Sequence, residues 1–213
     1  MALKINEIFS SIQGESTYAG LPCAFVRLAG CNLRCRYCDS EFAYEEGAFM
    51  EVEEIVGIVD AFGLRTVEIT GGEPLLQDEV HGLISVLLGR DYRVLLETNG
   101  SLDLSSVDPR VVKIVDVKCP ESGMAGHMRW ENLATIRSED ELKFVLCSRS
   151  DYEWAKARVR EHGLSGRCNL LFSPAFGVLP AEELASWILE DRLDVRLQLQ
   201  LHKIIWGPNR RGV

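Results

Sequence analysis

The chain has 213 residues, 46% of them hydrophobic, and carries a formal net charge of −9 at pH 7. That length suits one domain with a substantial core, and the acid excess argues against a free-standing nucleic-acid binder, which presents a basic surface. No apolar run approaches the ~20 residues of a membrane helix, so neither nucleic acid nor membrane is expected as a partner.

Residues 3–12 alternate well enough for an edge strand, and Gln13 to Gly20 follow as a polar loop bounded by glycine. Residues 23–29 read as a mostly apolar strand with Cys23 as a small buried hydrophobe. Val52, Ile55, Val56, Val59 and Phe62 have the spacing of an amphipathic helix over 51–62, and Val80, Leu83, Ile84, Leu87 and Leu88 that of a second over 77–89. Short apolar strands are expected at 66–70, 92–97, 111–117, 141–147, 168–172 and 195–201. Further helices are expected at 150–162 and 180–190, the latter with Pro180 near its start. The connections 98–110 and 118–140 are poor helix candidates, and 202–213 reads as a tail. Strands alternating with helices predict a parallel sheet with covered faces.

Cys31, Cys35 and Cys38 place three thiols within eight residues. Iron–sulfur clusters are held by cysteine thiolates, usually four. Three leave one iron without a protein ligand, and an open metal position usually signals chemistry. A structural zinc site would need a fourth ligand, for which Asp39 is the nearest candidate, and no second Cys-x-x-Cys pair exists. A disulfide framework fits poorly. The seven cysteines are an odd number, and Met1 to Glu7 is too short and polar for a secretory h-region. Reduced thiols in the cytoplasm are expected. Cys147 and Cys168 read as core residues, and Cys119, Cys147 and Cys168 lie too far apart in sequence for a second cluster.

The position of the unusual residues adds to this. Cys31, Gly71, Asn99, Lys118 and Ser173 each follow the C-terminal end of a predicted strand, the end at which α/β sheets bind ligands.

The Cys-x3-Cys-x2-Cys motif, followed downstream by Gly71-Gly72-Glu73-Pro74, resembles the radical S-adenosylmethionine superfamily. The resemblance implies a partial, curved (βα) barrel of about six parallel strands with trimmed helices, since a full eightfold barrel takes about 250 residues. It also implies one radical-SAM domain over 1–213. Cys31, Cys35 and Cys38 would hold a [4Fe–4S] cluster, and S-adenosylmethionine would chelate the open iron and be cleaved reductively to a 5′-deoxyadenosyl radical.

Within the superfamily the whole chain resembles the 7-carboxy-7-deazaguanine synthase family of queuosine and deazapurine biosynthesis. Ile12-Gln13-Gly14-Glu15, Arg27, the loop Lys118–Met124 and the tail from Leu201 to Pro208 carry that likeness. It implies a lyase that converts 6-carboxy-5,6,7,8-tetrahydropterin to 7-carboxy-7-deazaguanine with loss of ammonia, and no side chain as the catalytic group. Tyr37, Cys38, Asp39, Gly72, Glu73, Asp116, Val117, Lys118, Ser173, Pro174, Ala175 and Phe176 match cofactor-binding positions. Asp116-Val117-Lys118 departs from a common Ser-Pro-Lys. Ile12, Gln13, Gly14, Arg27 and Thr70 match substrate-binding positions, and Ser40 a magnesium ligand that is commonly threonine. An electron donor such as flavodoxin and a homodimer are further implied. Two rival readings are a glycyl-radical-enzyme activating protein of the same superfamily and a non-catalytic zinc-binding module.

Overall fold

A computed structural model describes residues 1–213. The elements, in chain order, are β1 (Ala2–Ile12), β2 (Pro22–Leu28), β3 (Ala48–Glu51), α1 (Val52–Ala61), β4 (Thr66–Gly71), α2 (Val80–Gly89), β5 (Arg93–Thr98), β6 (Val112–Val117), β7 (Glu141–Leu146), α3 (Arg149–Glu161), β8 (Asn169–Pro174), α4 (Ala181–Asp191), β9 (Arg196–Leu197) and α5 (Leu201–Trp206). The strands form one nine-stranded sheet in the order β3-β1-β2-β4-β5-β6-β7-β8-β9. From β2 through β9 every pairing is parallel, and β1 pairs antiparallel with both β2 and β3. The expected partial barrel of parallel strands is present, with an antiparallel pair added at one margin.

Two expectations need correction. β1 is an edge strand only in part, because β3 covers the outer side of its first four residues through the pairs Ala2↔Glu51 to Ile5↔Ala48 and no strand pairs there with the rest of β1. The strand expected at 195–201 shrinks to Arg196–Leu197. After Gln198 donates its main-chain N–H to Phe172 O at 2.8 Å, the chain leaves the sheet, and Leu201 N–H bonds to Gly14 O at 2.9 Å. That turn starts α5 in what had read as tail. The connection 118–140 holds no α-helix, only three short 3₁₀ turns.

The twofold alternation of side chains along a strand explains how one sheet serves both core and site. Val26, Ile69, Leu96, Val115 and Phe144 point to the helices and belong to a 39-residue apolar cluster. Their neighbours Arg27, Thr70, Glu97, Asp116 and Lys143 point to the other face, where a cavity lies. The helices close the core side because their apolar residues recur at helical spacing. Val52, Ile55, Val56 and Val59 of α1 are buried, as are Val80, Leu83, Ile84 and Leu87 of α2. α3 starts where Ser148 Oγ accepts the Asp151 main-chain N–H at 3.4 Å, an ordinary serine N-cap.

Candidate active site

The loops after the strands converge on a cavity of about 690 Å³. Its first wall is the cysteine loop after β2. Three main-chain bonds hold that loop: Gly30 N–H to Ala43 O at 2.8 Å, Arg36 N–H to Ser122 O at 3.0 Å and Cys38 N–H to Cys35 O at 3.2 Å. Cys31, Cys35 and Cys38 are half-buried and all line the cavity. Burial pushes the thiols of Cys31 and Cys35 above their ordinary pKa.

The second wall is Gly71-Gly72. Gly71 has φ 146°, and a Cβ on Gly72 would stand 2.1 Å from Gly30 O. Only glycine permits this approach of the loop to the cysteine loop, and the contact is sealed by Glu73 N–H bonding to Gly30 O at 2.8 Å. Glu73 itself is fully buried and absent from the cavity wall. Its carboxylate accepts from Thr98 Oγ1 at 2.9 Å, Asn99 N–H at 2.7 Å and Leu75 N–H at 3.0 Å. It therefore braces the loops that carry Gly72 and Asn99.

Deeper in, charged side chains replace the apolar ones. Lys143 bonds Glu15 at 2.8 Å and Glu97, and lies 3.6 Å from Asp116. Asp116 also pairs with Lys118 at 2.9 Å, while its Oδ1 is buried with no partner. Burial alone would lower the pKa of Lys118, but the Asp116 carboxylate beside it outweighs burial and keeps the ammonium charged. Gln13 Nε2 donates to Glu68. Burial, with the Glu97 charge adding to it, pushes the pKa of Glu68 well above the carboxylate range. Glu97 stays low despite burial because Lys143 and Thr70 hold its charged form.

The donor set suits an iron–sulfur cluster. Three soft thiolates face one cavity, no fourth cysteine joins them there, and the wall runs on to Gly71, Tyr37, Lys118 and Phe176 with room for a second group beside them. The orphaned Asp116 Oδ1 is a buried acceptor that a bound donor would satisfy.

The pattern of the radical SAM superfamily matches residues 26–116. Over nearly its whole length the chain is 52% identical to 7-carboxy-7-deazaguanine synthase of Chlorobaculum tepidum, covering 99% of this chain and 97% of that protein. It is 48% identical to the synthase of Koribacter versatilis, covering 99% and 100%. The chain belongs to the 7-carboxy-7-deazaguanine synthase family of the radical SAM superfamily.

Its activity is that of a 7-carboxy-7-deazaguanine synthase, a radical SAM lyase of queuosine biosynthesis. Membership implies a [4Fe–4S] cluster and S-adenosylmethionine, and sets aside the glycyl-radical activator and the zinc module. The crystal structure of QueE from Escherichia coli shares the fold, with a TM-score of 0.79, 21% identity and 94% of each chain covered. No helix is long and apolar enough to cross a membrane.

Of the family's expected cofactor positions, Tyr37, Cys38, Asp39, Gly72, Asp116, Lys118, Ala175 and Phe176 line the cavity. Glu73, Val117, Ser173 and Pro174 do not; each is buried behind it. Tyr37 donates its hydroxyl to Val145 O at 3.3 Å. Asp39, an exposed side chain at the cavity mouth, pairs with Lys203 of α5 at 2.6 Å, and that ammonium holds its carboxylate low. Ile12, Gln13, Gly14, Arg27 and Thr70 all line the cavity, as does Ser40, whose hydroxyl donates to Asp39 Oδ1 at 3.1 Å. Arg27 bonds Glu7 through Nε at 2.8 Å and lies against the rings of Phe9 and Phe42.

Cys23 is a buried hydrophobe as expected, whereas Cys147 and Cys168 are half-buried rather than core. Burial pushes both of these thiols up to about 11. The residues that sequence reading missed are Glu68, Glu97, Lys143, Gln200, His202 and Lys203. A signal existed for three of them: a charged residue at the centre or end of an otherwise apolar strand is costly unless paired.

Proposed function

We propose that the substrate is 6-carboxy-5,6,7,8-tetrahydropterin and that residues 1–213 act as one radical-SAM domain on it, releasing 7-carboxy-7-deazaguanine and ammonia. The observation that carries this is that one cavity is lined both by the three thiols and by Gln13, Gly14, Arg27 and Thr70, the second group offering charge and hydrogen bonds. A charged, hydrogen-bonding small heterocycle suits the second group; a protein partner does not.

Cys31, Cys35 and Cys38 would hold the cluster, with Tyr37, Asp39, Gly72, Asp116, Lys118, Ala175 and Phe176 around S-adenosylmethionine and Glu73, Val117, Ser173 and Pro174 supporting them from behind. When bound, these groups supply the one-electron chemistry that opens the carbon–hydrogen bond at C6 of the pterin. Arg27, with Nε committed to Glu7, keeps its two terminal nitrogens for the substrate carboxylate, the planar fork such a group needs. Ile12 and Gly14 offer main-chain groups to the ring edge, Gln13 its amide and Thr70 its hydroxyl. Ser40 would supply one oxygen to a magnesium ion, a hard cation that keeps several waters, with substrate oxygens completing the shell. The seven free cysteines agree with a reducing, cytoplasmic setting. A one-electron protein donor such as flavodoxin and a homodimer complete the proposal.

The test is anaerobic incubation of the reconstituted protein with S-adenosylmethionine, a reductant and the carboxypterin, followed by mass spectrometry. The deazaguanine acid and ammonia in equal amounts are expected. An unchanged pterin beside a competent cluster would overturn the substrate assignment.

A further inference from the structure

One ammonium group links residues next to those assigned to the pterin with a residue assigned to S-adenosylmethionine. Lys143 of β7 is 4% exposed. Its Nζ bonds Glu15 Oε2 at 2.8 Å and Glu97 Oε1, and lies 3.6 Å from Asp116 Oδ2. Glu15 directly follows the stretch assigned to the pterin, and the other oxygen of Glu97 accepts from Thr70 Oγ1 at 2.9 Å. Asp116 is among the residues assigned to S-adenosylmethionine; Lys118 pairs with it at 2.9 Å and its Oδ1 is bare.

We infer that Lys143 is a positioning residue that couples the pterin pocket to the S-adenosylmethionine pocket, so that filling either changes the affinity of the other. The inference rests on the substrate reading above. A lysine head has three N–H donors, and here it faces three carboxylates at unequal distances. The Asp116 leg is the longest and therefore the weakest. A donor or cation arriving at Asp116 competes with Lys143 for that carboxylate. The ammonium then settles on Glu15 and Glu97 and fixes the two groups that border the pterin pocket. In a buried, low-dielectric site such redistribution is felt strongly, and linkage makes the effect reciprocal.

A purely structural pair looks different. Lys113 and Asp140 are 2.8 Å apart, 3% and 0% exposed, and neither touches the cavity. Lys143, Glu15, Glu97 and Asp116 all line it.

The test is anaerobic calorimetric titration of the cluster-loaded, unreduced protein, in which both ligands bind without turnover. Carboxypterin affinity is measured with and without saturating S-adenosylmethionine in the parent, in Lys143→Met, in Lys143→Arg and in Asp116→Asn, with the cluster spectrum and Tm recorded for each. In the parent, S-adenosylmethionine is expected to tighten carboxypterin binding by about threefold or more. In Lys143→Met the affinity should fall about tenfold and the effect of S-adenosylmethionine should vanish. Lys143→Arg should restore part of both. Should Lys143→Met fail to fold, Asp116→Asn weakens the cofactor leg together with the Lys118 pair, and at S-adenosylmethionine concentrations that saturate this variant it must abolish the coupling. Independent binding in the parent, or coupling that survives in Lys143→Met or Asp116→Asn, overturns the inference. A parent that binds no carboxypterin at all overturns the substrate assignment instead, and this inference with it.

Discussion

Glu73 Oε2 accepts the main-chain N–H of Asn99 at 2.7 Å, tying the end of β5 to the glycine loop after β4. Because Asn99 in turn sets its amide nitrogen 3.9 Å from Cys31 Sγ, one buried carboxylate orders three loops around the thiols. Glu73→Gln replaces a carboxylate oxygen with an amide that cannot accept at both positions. The expected cost is about 1–3 kcal/mol of stability and weakened S-adenosylmethionine binding, checked by chemical denaturation and equilibrium dialysis. Unchanged values for both would show that the brace is dispensable.

Cys31→Ala, Cys35→Ala and Cys38→Ala should each abolish the brown chromophore or the reductive cleavage of S-adenosylmethionine, because two thiolates cannot hold the cluster. Cys23→Ala and Cys168→Ala serve as controls and should retain both properties. The readouts are the visible absorption spectrum and iron content after anaerobic reconstitution. Full turnover in any of the three would remove that cysteine from the ligand set.

Arg27→Ala should raise KM for the carboxypterin by about tenfold or more, since a bidentate charge-assisted contact is worth a few kcal/mol. Arg27→Lys should recover only part of the loss, because a point charge does not reproduce the fork. Steady-state kinetics at a matched cluster content decide this, and KM equal to the parent's would refute the role.

With the Ser40 hydroxyl as the proposed protein ligand of magnesium, Ser40→Ala should lose stimulation by magnesium and Ser40→Thr should keep it. The comparison is initial rate with and without added magnesium after chelation. A parent whose turnover ignores both chelator and magnesium would dispose of the site.

Glu68 carries a pH signature. Its folded pKa is raised by burial first and by the Glu97 charge second. Between the ordinary carboxylate value and the raised one, the folded chain binds a proton that the unfolded chain has released. Stability from this group therefore falls as pH rises through that window, by up to about 1.4 kcal/mol per pH unit. Glu68→Gln, which keeps an acceptor for Gln13, should flatten the decline in Tm from pH 5 to pH 8 and raise Tm at pH 8. A parallel pH profile in the variant would mean that Glu68 is ionised at neutral pH.

The sequence by itself determined the parallel core, because short β-branched runs and helical spacings state their own periods locally: β4, β5, β6, β7 and β8 lie within a few residues of their expected places. It also determined the thiol triad and the glycine loop, since both are contiguous motifs with chemistry written into their spacing. Only the tertiary structure decided that β3 would cover β1, that Leu201–Trp206 would turn into a helix across Gly14, and that Lys203 would reach Asp39. The gathering of Glu15, Glu97 and Asp116 around Lys143 was likewise invisible in the chain order. The contacts of Lys143 join residues from 27 to 128 positions apart, and what selects them is the requirement that a buried charge find a partner. That requirement acts between strands brought together by the sheet, so no local pattern in the sequence announces it.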